Sequence, residues 1–292
     1  MRAIAKLMLT ALFLVTGVAL NIRLETTVKA DLETSANAGL TTNANAKVES
    51  ADKAEQVVPA GIARLEREFA RQFAGRSASF TSIFEGDPSR LNKSIASVIG
   101  RALHLDDYTA YIIDSYTYTV RSRGSLSSIQ LQVRYRETQD QTAEVDREVK
   151  KALGQILQPD MNADEKVKFV HDWVVRRLAY DESLQRYTAY EALRYGKAVC
   201  QGYALLTYKM LSAAGIPVRI VEGKVASGDH AWNLVLLGGR WYHMDTTWDD
   251  PLPDRPGRVR YDYYLKTDEQ MREDHSWTRP YPEAVTEYDG RH

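Results

Sequence analysis

One cysteine, one histidine and one aspartate are spaced along this chain so that they could share a reaction. Cys200 is the single cysteine of 292 residues. It falls where a loop runs into an apolar helix expected over 203–214. Unpaired backbone N–H groups and the positive end of a helix favour a thiolate at such a point. Gly202 would leave room there for a substrate backbone to approach. A small apolar Cys at a helix start is also an ordinary core residue, so the thiol alone decides nothing.

A downstream hairpin adds the partners. Strand signals at 231–237 and 240–246 flank Gly238-Gly239, a pair suited to a two-residue turn. That loop pairs Leu237 with Arg240 and sets Trp232 opposite Asp245. His230, two residues before Trp232, then shares a sheet face with Asp245, their Cβ atoms roughly 5–8 Å apart on the diagonal. A carboxylate at that distance can take the imidazole N–H and steady its cation, which an activated thiol requires of its base. A structural histidine and a strand-end cap are the plain alternative. His243 lies on the same face, so His230, His243 and Asp245 could also be read as metal ligands. With no fourth ligand evident, neither a metal nor another cofactor is expected.

The elements that position these residues follow from periodicity. Ile62, Leu65, Phe69 and Phe73 form a helical stripe, and a second helix is expected over 88–103. Strands are expected over 108–121 and 129–136, with Gly124-Ser125 turning between them. These make a small α+β module, 59–143. The remainder, 144–292, opens with helices through Val145 to Ile156 and Val167 to Leu178, the second capped by Asn162 or Asp164. Residues 190–196 precede Cys200, Gly215 and Pro217 end the Cys200 helix, and a strand at 218–225 leads to the hairpin. His171, Trp173 and Trp241 are expected to pack, and Asp249-Asp250-Pro251 to form an exposed turn.

Composition is that of a globular protein, with 44% apolar and 26% charged residues. A net charge of −1 gives no electrostatic reason for a nucleic-acid or anionic-membrane partner. Arg2 and Lys6 precede the apolar run 7–20, and Val28-Lys29-Ala30 offers small residues where a signal peptidase reads. Residues 1–30 therefore read as a signal peptide cleaved after Ala30, with an uncleaved anchor as the alternative. Residues 31–58, poor in large apolar side chains, read as a disordered linker. The mature chain is expected in the cell envelope or secreted, without stable membrane insertion. A lone Cys in an oxidising compartment has no intramolecular disulfide partner.

Three ordered blocks make the chain recognisable. Residues 196–204 (GKAVCQGYA) resemble the nucleophile segment of the transglutaminase-like superfamily, 228–233 (GDHAWN) its histidine strand and 241–249 (WYHMDTTWD) its aspartate strand. The spacing also matches, 30 residues from Cys200 to His230 and 15 from His230 to Asp245. The resemblance extends over about 145–280, taking in 168–180 (KFVHDWVVRRLAY) and 274–277 (DHSW). It departs at Ala198, where many members carry Gly.

The resemblance implies a papain-like α+β fold, with the Cys helix packed on an antiparallel sheet. It also implies thioester chemistry at Cys200, with His230 as base and Asp245 orienting it. Gln201 and Tyr195 are candidates to complete an oxyanion hole beside the Cys200 N–H. Trp232 and Trp248 are candidates for walls of the acyl-donor cleft. Hydrolysis of a peptide or side-chain amide, cell-envelope peptides among the substrates, is favoured because no amine site is identifiable. Glutamine cross-linking and a non-catalytic binding module on the same fold are the alternatives.

Overall fold

The computed structural model describes residues 26–31, for their backbone, together with 60–255 and 257–290. Strand β1 (Thr26–Asp31) runs across the cleavage point expected after Ala30; the rest of the expected leader and of the 31–58 linker lies outside the described residues. Helix α1 (Ala60–Ala74) buries Ile62, Leu65, Phe69 and Phe73, the stripe read from the sequence. It is followed by β2 (Ser79–Glu85), α2 (Pro88–Leu103), α3 (Asp107–Ile112), β3 (Ile113–Arg123) and β4 (Leu126–Tyr135). The strands form one antiparallel sheet in the order β1-β3-β4-β2. Arg123 pairs with Leu126 across the Gly124-Ser125 turn, with Gly124 at φ +60°.

Two elements of this module differ from expectation. The segment 108–112, rich in aromatic and β-branched residues, is a helix and not the start of a strand. Asp106 caps it, and all six residues of α3 are buried, so packing overrides β propensity. Strand β2 carried no legible alternation because Ser82 points inward and Ile83 outward. Ser82 is buried with its hydroxyl donating to Glu68 at 2.6 Å, while Ile83 is exposed.

Helix α4 (Gln139–Ile156) begins before the boundary expected at 143/144, and Thr138 and Gln141 close a capping box at its start. Helix α5 (Ala163–Arg177) is capped by Asn162; Asp164 lies in its first turn and accepts from the Tyr288 hydroxyl. Then come β5 (Ala179–Tyr180), α6 (Ala189–Tyr195), β6 (Lys197–Ala198) and α7 (Cys200–Ala213). Strands β7 (Val218–Val225), β8 (Gly228–Leu237) and β9 (Arg240–Met244) form an antiparallel sheet in that order, and the short α8 (Asp268–Met271) follows. Leu237 pairs with Arg240 and Asn233 with Met244, the register anticipated from the turn. The result is α+β, with α7 against the β7-β8-β9 sheet. One buried apolar cluster runs from the module through α4, α5 and α7 into that sheet. Among the described residues no helix is long and apolar enough to cross a membrane.

The module is fastened to the rest of the chain by buried charge. Asp107 accepts from Arg219 Nε at 2.7 Å, Arg219 Nη2 at 3.0 Å and the Ile220 N–H at 2.9 Å. Glu137 accepts from the Tyr108 hydroxyl at 2.6 Å and the Tyr190 N–H at 3.3 Å. Gly202 serves packing, not substrate access as expected. A Cβ there would lie 2.6 Å from Ala198 Cβ and 3.3 Å from the Thr188 carbonyl. The Ala198 methyl thus occupies space that Gly202 vacates. Gly202→Ala should destabilise by about 1–3 kcal/mol, partly recovered by adding Ala198→Gly. Chemical denaturation of both variants checks this, and a Gly202→Ala protein as stable as wild type contradicts it.

Candidate active site

Cys200 opens α7, with Val199 at the cap position making no side-chain hydrogen bond. The positive end of the helix therefore faces the thiol without a competing side-chain acceptor at its cap. Two connections hold the loop before it. Tyr180 pairs with Ala198 between β5 and β6, and the Val199 N–H donates to the Arg186 carbonyl at 2.9 Å. Cys200 is partly exposed.

His230 projects from β8 and Asp245 follows the last residue of β9, on the face that the register sets. His230 Nε2 lies 2.6 Å from Asp245 Oδ2, and Cys200 is close enough to the same imidazole to favour its cation. With Nε2 committed to the carboxylate, Nδ1 is the nitrogen left for sulfur. Burial disfavours the His230 cation, but Asp245 and Cys200 outweigh it and raise the ring to about 10. Asp245 is fully buried; burial would raise it, yet the two histidines beside it hold it well below the usual carboxylate range. Its Oδ1 accepts from the Thr247 N–H at 2.9 Å and the Trp248 N–H at 3.3 Å.

The sequence reading missed two neighbours. His275 sets Nε2 3.3 Å from Asp245 Oδ2 and Nδ1 2.6 Å from Asp274 Oδ1. Tyr180 lies within electrostatic reach of Cys200 and Asp245; burial first, then those charges, push its hydroxyl up to about 12, so it stays a donor. Both stood in segments that carried the resemblance. What hid them was local: β5 and β6 have two residues each, too short for a periodic signal. His275 is brought in by a backbone bridge between Lys224 and Ser276.

The other candidates are placed differently. The Gln201 amide donates to the Tyr111 carbonyl in α3, which ties the start of α7 to the module and removes that amide as an oxyanion donor. Tyr195 is exposed at the end of α6 beneath the Arg186 guanidinium, 5.0 Å from its ring, and so turns to solvent. Trp232 is buried with its ring centroid 5.8 Å from that of His230, beneath the site and not in a cleft wall. Trp248 is half-buried, 5.8 Å from the His230 ring. Trp241 packs beside Val221 and Leu234, and Trp173 against the main core.

His243 is not gathered with His230 and Asp245. Its Nδ1 accepts from Trp232 Nε1 at 2.8 Å and its Nε2 meets Asp268 at 2.8 Å. An indole N–H can only donate, so this fixes the neutral tautomer, and burial lowers the ring's affinity for a second proton. The metal-ligand reading of that trio fails on this geometry. Asp249 and Asp250 do not form an exposed turn, because both carboxylates find internal donors. His171 Nε2 lies 3.0 Å from Asp249 Oδ2, and Asp250 accepts from the Tyr203 hydroxyl. His171 itself bridges Asp249 and Asp172; burial opposes its charge, but the two carboxylates raise it above the ordinary range.

Residues 150–246, which contain Cys200, His230 and Asp245, match the model of the transglutaminase-like superfamily. The chain carries a transglutaminase-like domain. Kyphoscoliosis peptidase of Mus musculus is 31% identical over 153 residues, covering 45% of this chain and 23% of that protein. The Homo sapiens protein of the same name is 32% identical over 120 residues, covering 35% and 18%. The chain thus matches less than a quarter of the length of either relative. A solved structure of a TGase aligns with a TM-score of 0.34 at 16% identity, over 58% of this chain and 50% of that one.

The sign of the His230 shift in this transglutaminase-like domain has a stability consequence. A ring raised from 6.5 to about 10 on folding adds stability that is complete below 6.5 and lost as pH rises through about 10. The stability gap between wild type and His230→Asn should therefore be wide near pH 6.5 and narrow steadily toward pH 10. Urea unfolding across that range checks it, and a constant gap contradicts it.

Proposed function

We propose that this chain is an exported thiol enzyme that hydrolyses a peptide or side-chain amide through Cys200, His230 and Asp245. The observation that carries the reading is the 2.6 Å pairing of His230 with a buried Asp245, on a ring whose cation Cys200 also favours from an uncapped helix start. The sulfur attacks the amide carbonyl, and the negative oxygen that forms is met by the Cys200 N–H and the Tyr180 hydroxyl. The His230 imidazolium gives its proton to the departing amine as the C–N bond breaks, leaving a thioester. The ring, now neutral, takes a proton from water, whose oxygen attacks the thioester. The acid leaves and the thiolate–imidazolium pair returns. Asp245 holds the ring's orientation and balances its charge throughout.

The peptidase names of the mouse and human relatives agree with release to water rather than to an amine. Export is supported by the charged and apolar composition of residues 1–20.

With a peptide amide substrate, mass spectrometry of the quenched reaction should find the acyl group on Cys200. Cys200→Ala should lose the adduct and turnover. Rates should fall roughly a thousandfold in His230→Ala. Tyr180→Phe should lower kcat roughly a hundredfold with KM little changed. Amine incorporation well above hydrolysis would replace peptidase with cross-linking. Absence of any acyl adduct across amide and glutamine donors would remove the enzymatic reading.

A further inference from the structure

His275 lies outside the stretch that matches the family model, yet its ring reaches the carboxylate at the centre of the candidate site. We infer that His275 is a positioning residue, which fixes the Asp245 carboxylate in the orientation that aligns its Oδ2 with the His230 ring. The inference rests on the acyl-transfer reading and adds a residue to it.

Asp245 stands one residue beyond the end of β9, so the register sets the face it leaves from but not the rotation of its carboxylate. Its orientation depends on the donors around the carboxylate. Oδ1 has the Thr247 and Trp248 N–H groups, and Oδ2 has His230 at 2.6 Å and His275 at 3.3 Å. Four donors fill the acceptor sites of an ionised carboxylate. Without His275, the carboxylate can still turn about its Oδ1 donors, and Oδ2 is held only by the ring it is meant to steer.

His275 is itself firmly placed. Its N–H donates to the Met271 carbonyl at 2.8 Å. The next residue, Ser276, exchanges two backbone hydrogen bonds with Lys224 at the outer edge of β7, at 2.8 and 2.9 Å. Gly223 permits that approach, since a Cβ there would meet the Ser276 carbonyl at 2.2 Å. Asp274 Oδ1 lies 2.6 Å from the far ring nitrogen, and Asp274 Oδ2 accepts from the Tyr263 hydroxyl. The ring is walled by Trp248 at 4.6 Å, Trp232 at 5.0 Å and Tyr263 at 5.3 Å between centroids. The titratable groups facing it are Asp245, His230 and His243 from the sheet, with Asp274 and Tyr263 from the C-terminal segments. Cys200 is reached only through His230.

A buried aromatic plug is the competing role, and substitution separates the two. His275→Phe keeps a ring in place but cannot donate. His275→Gln restores one N–H donor. Asp274→Asn, at a half-exposed position, loosens the ring without removing it. The readout is iodoacetamide labelling of Cys200 in the full chain from about pH 6 to pH 9, a range in which an ordinary thiol of pKa about 8.5 goes from inert to reactive. Thermal melts run alongside. Wild type should label fast at the acid end. His275→Phe should slow that labelling roughly tenfold or more, His275→Gln should recover most of it, and Asp274→Asn should fall between. A folded His275→Phe protein labelling like wild type overturns the inference. If that variant does not fold, wild-type labelling in Asp274→Asn overturns it instead. Slow wild-type labelling at the acid end, unchanged by His230→Ala, would overturn the acyl-transfer reading and this inference with it.

Discussion

A carboxylate with no access to water has to find its solvation inside the protein, and an ionised one left short of donors costs several kcal/mol. Asp245 is in that position, completely buried. Two backbone N–H groups and two imidazoles supply what water would have supplied. Much of the surrounding architecture can be understood as what brings those four donors together. The turn after β9 presents the N–H groups, β8 presents His230, and the bridge from β7 to Ser276 presents His275. A negative charge fixed in this way is also what raises the affinity of His230 for its proton.

The segment that carries Asp245 is anchored to helices on either side of the nucleophile. His171 of α5 lies 3.0 Å from Asp249, and Tyr203 of α7, one turn past Cys200, donates to Asp250. On the sheet side, the Asn233 amide of β8 donates to the Ala204 carbonyl of α7 at 3.1 Å. Sulfur, imidazole and carboxylate therefore sit on elements joined by polar contacts as well as by core packing. Buried contacts of this kind are directional, so they specify one arrangement where apolar packing alone would tolerate several. The module adds a further tie through the Gln201 amide and the Tyr111 carbonyl. A residue beside the nucleophile thus fastens the helix to the module and points away from the reaction.

Reading the sequence recovered what depends on local rules. The Gly238-Gly239 turn set the β8–β9 register, and that register placed His230 and Asp245 on one face. The stripe of α1 was legible, and the cap of α5 narrowed to Asn162 or Asp164, of which Asn162 is the cap. What escaped depends on distant partners. Ser82 can face inward only because Glu68 is there to accept, and 108–112 is helical because every side of it is buried. Asp249 and Asp250 look like a surface turn until His171 and Tyr203, 78 and 47 residues away, are seen to reach them. His243 has the spacing of a ligand, but Trp232 takes one of its nitrogens. His275 arrives from a stretch with no periodic pattern. Propensity and spacing carry no information about such pairings.

His230 keeps its proton because Asp245 and Cys200 hold it. An NMR titration of the imidazole resonances reads this directly, with His230→Asn identifying the signal among the six histidines. The ring should remain cationic beyond pH 8 and release its proton near pH 10. A ring that titrates near its ordinary value of 6.5 would contradict it.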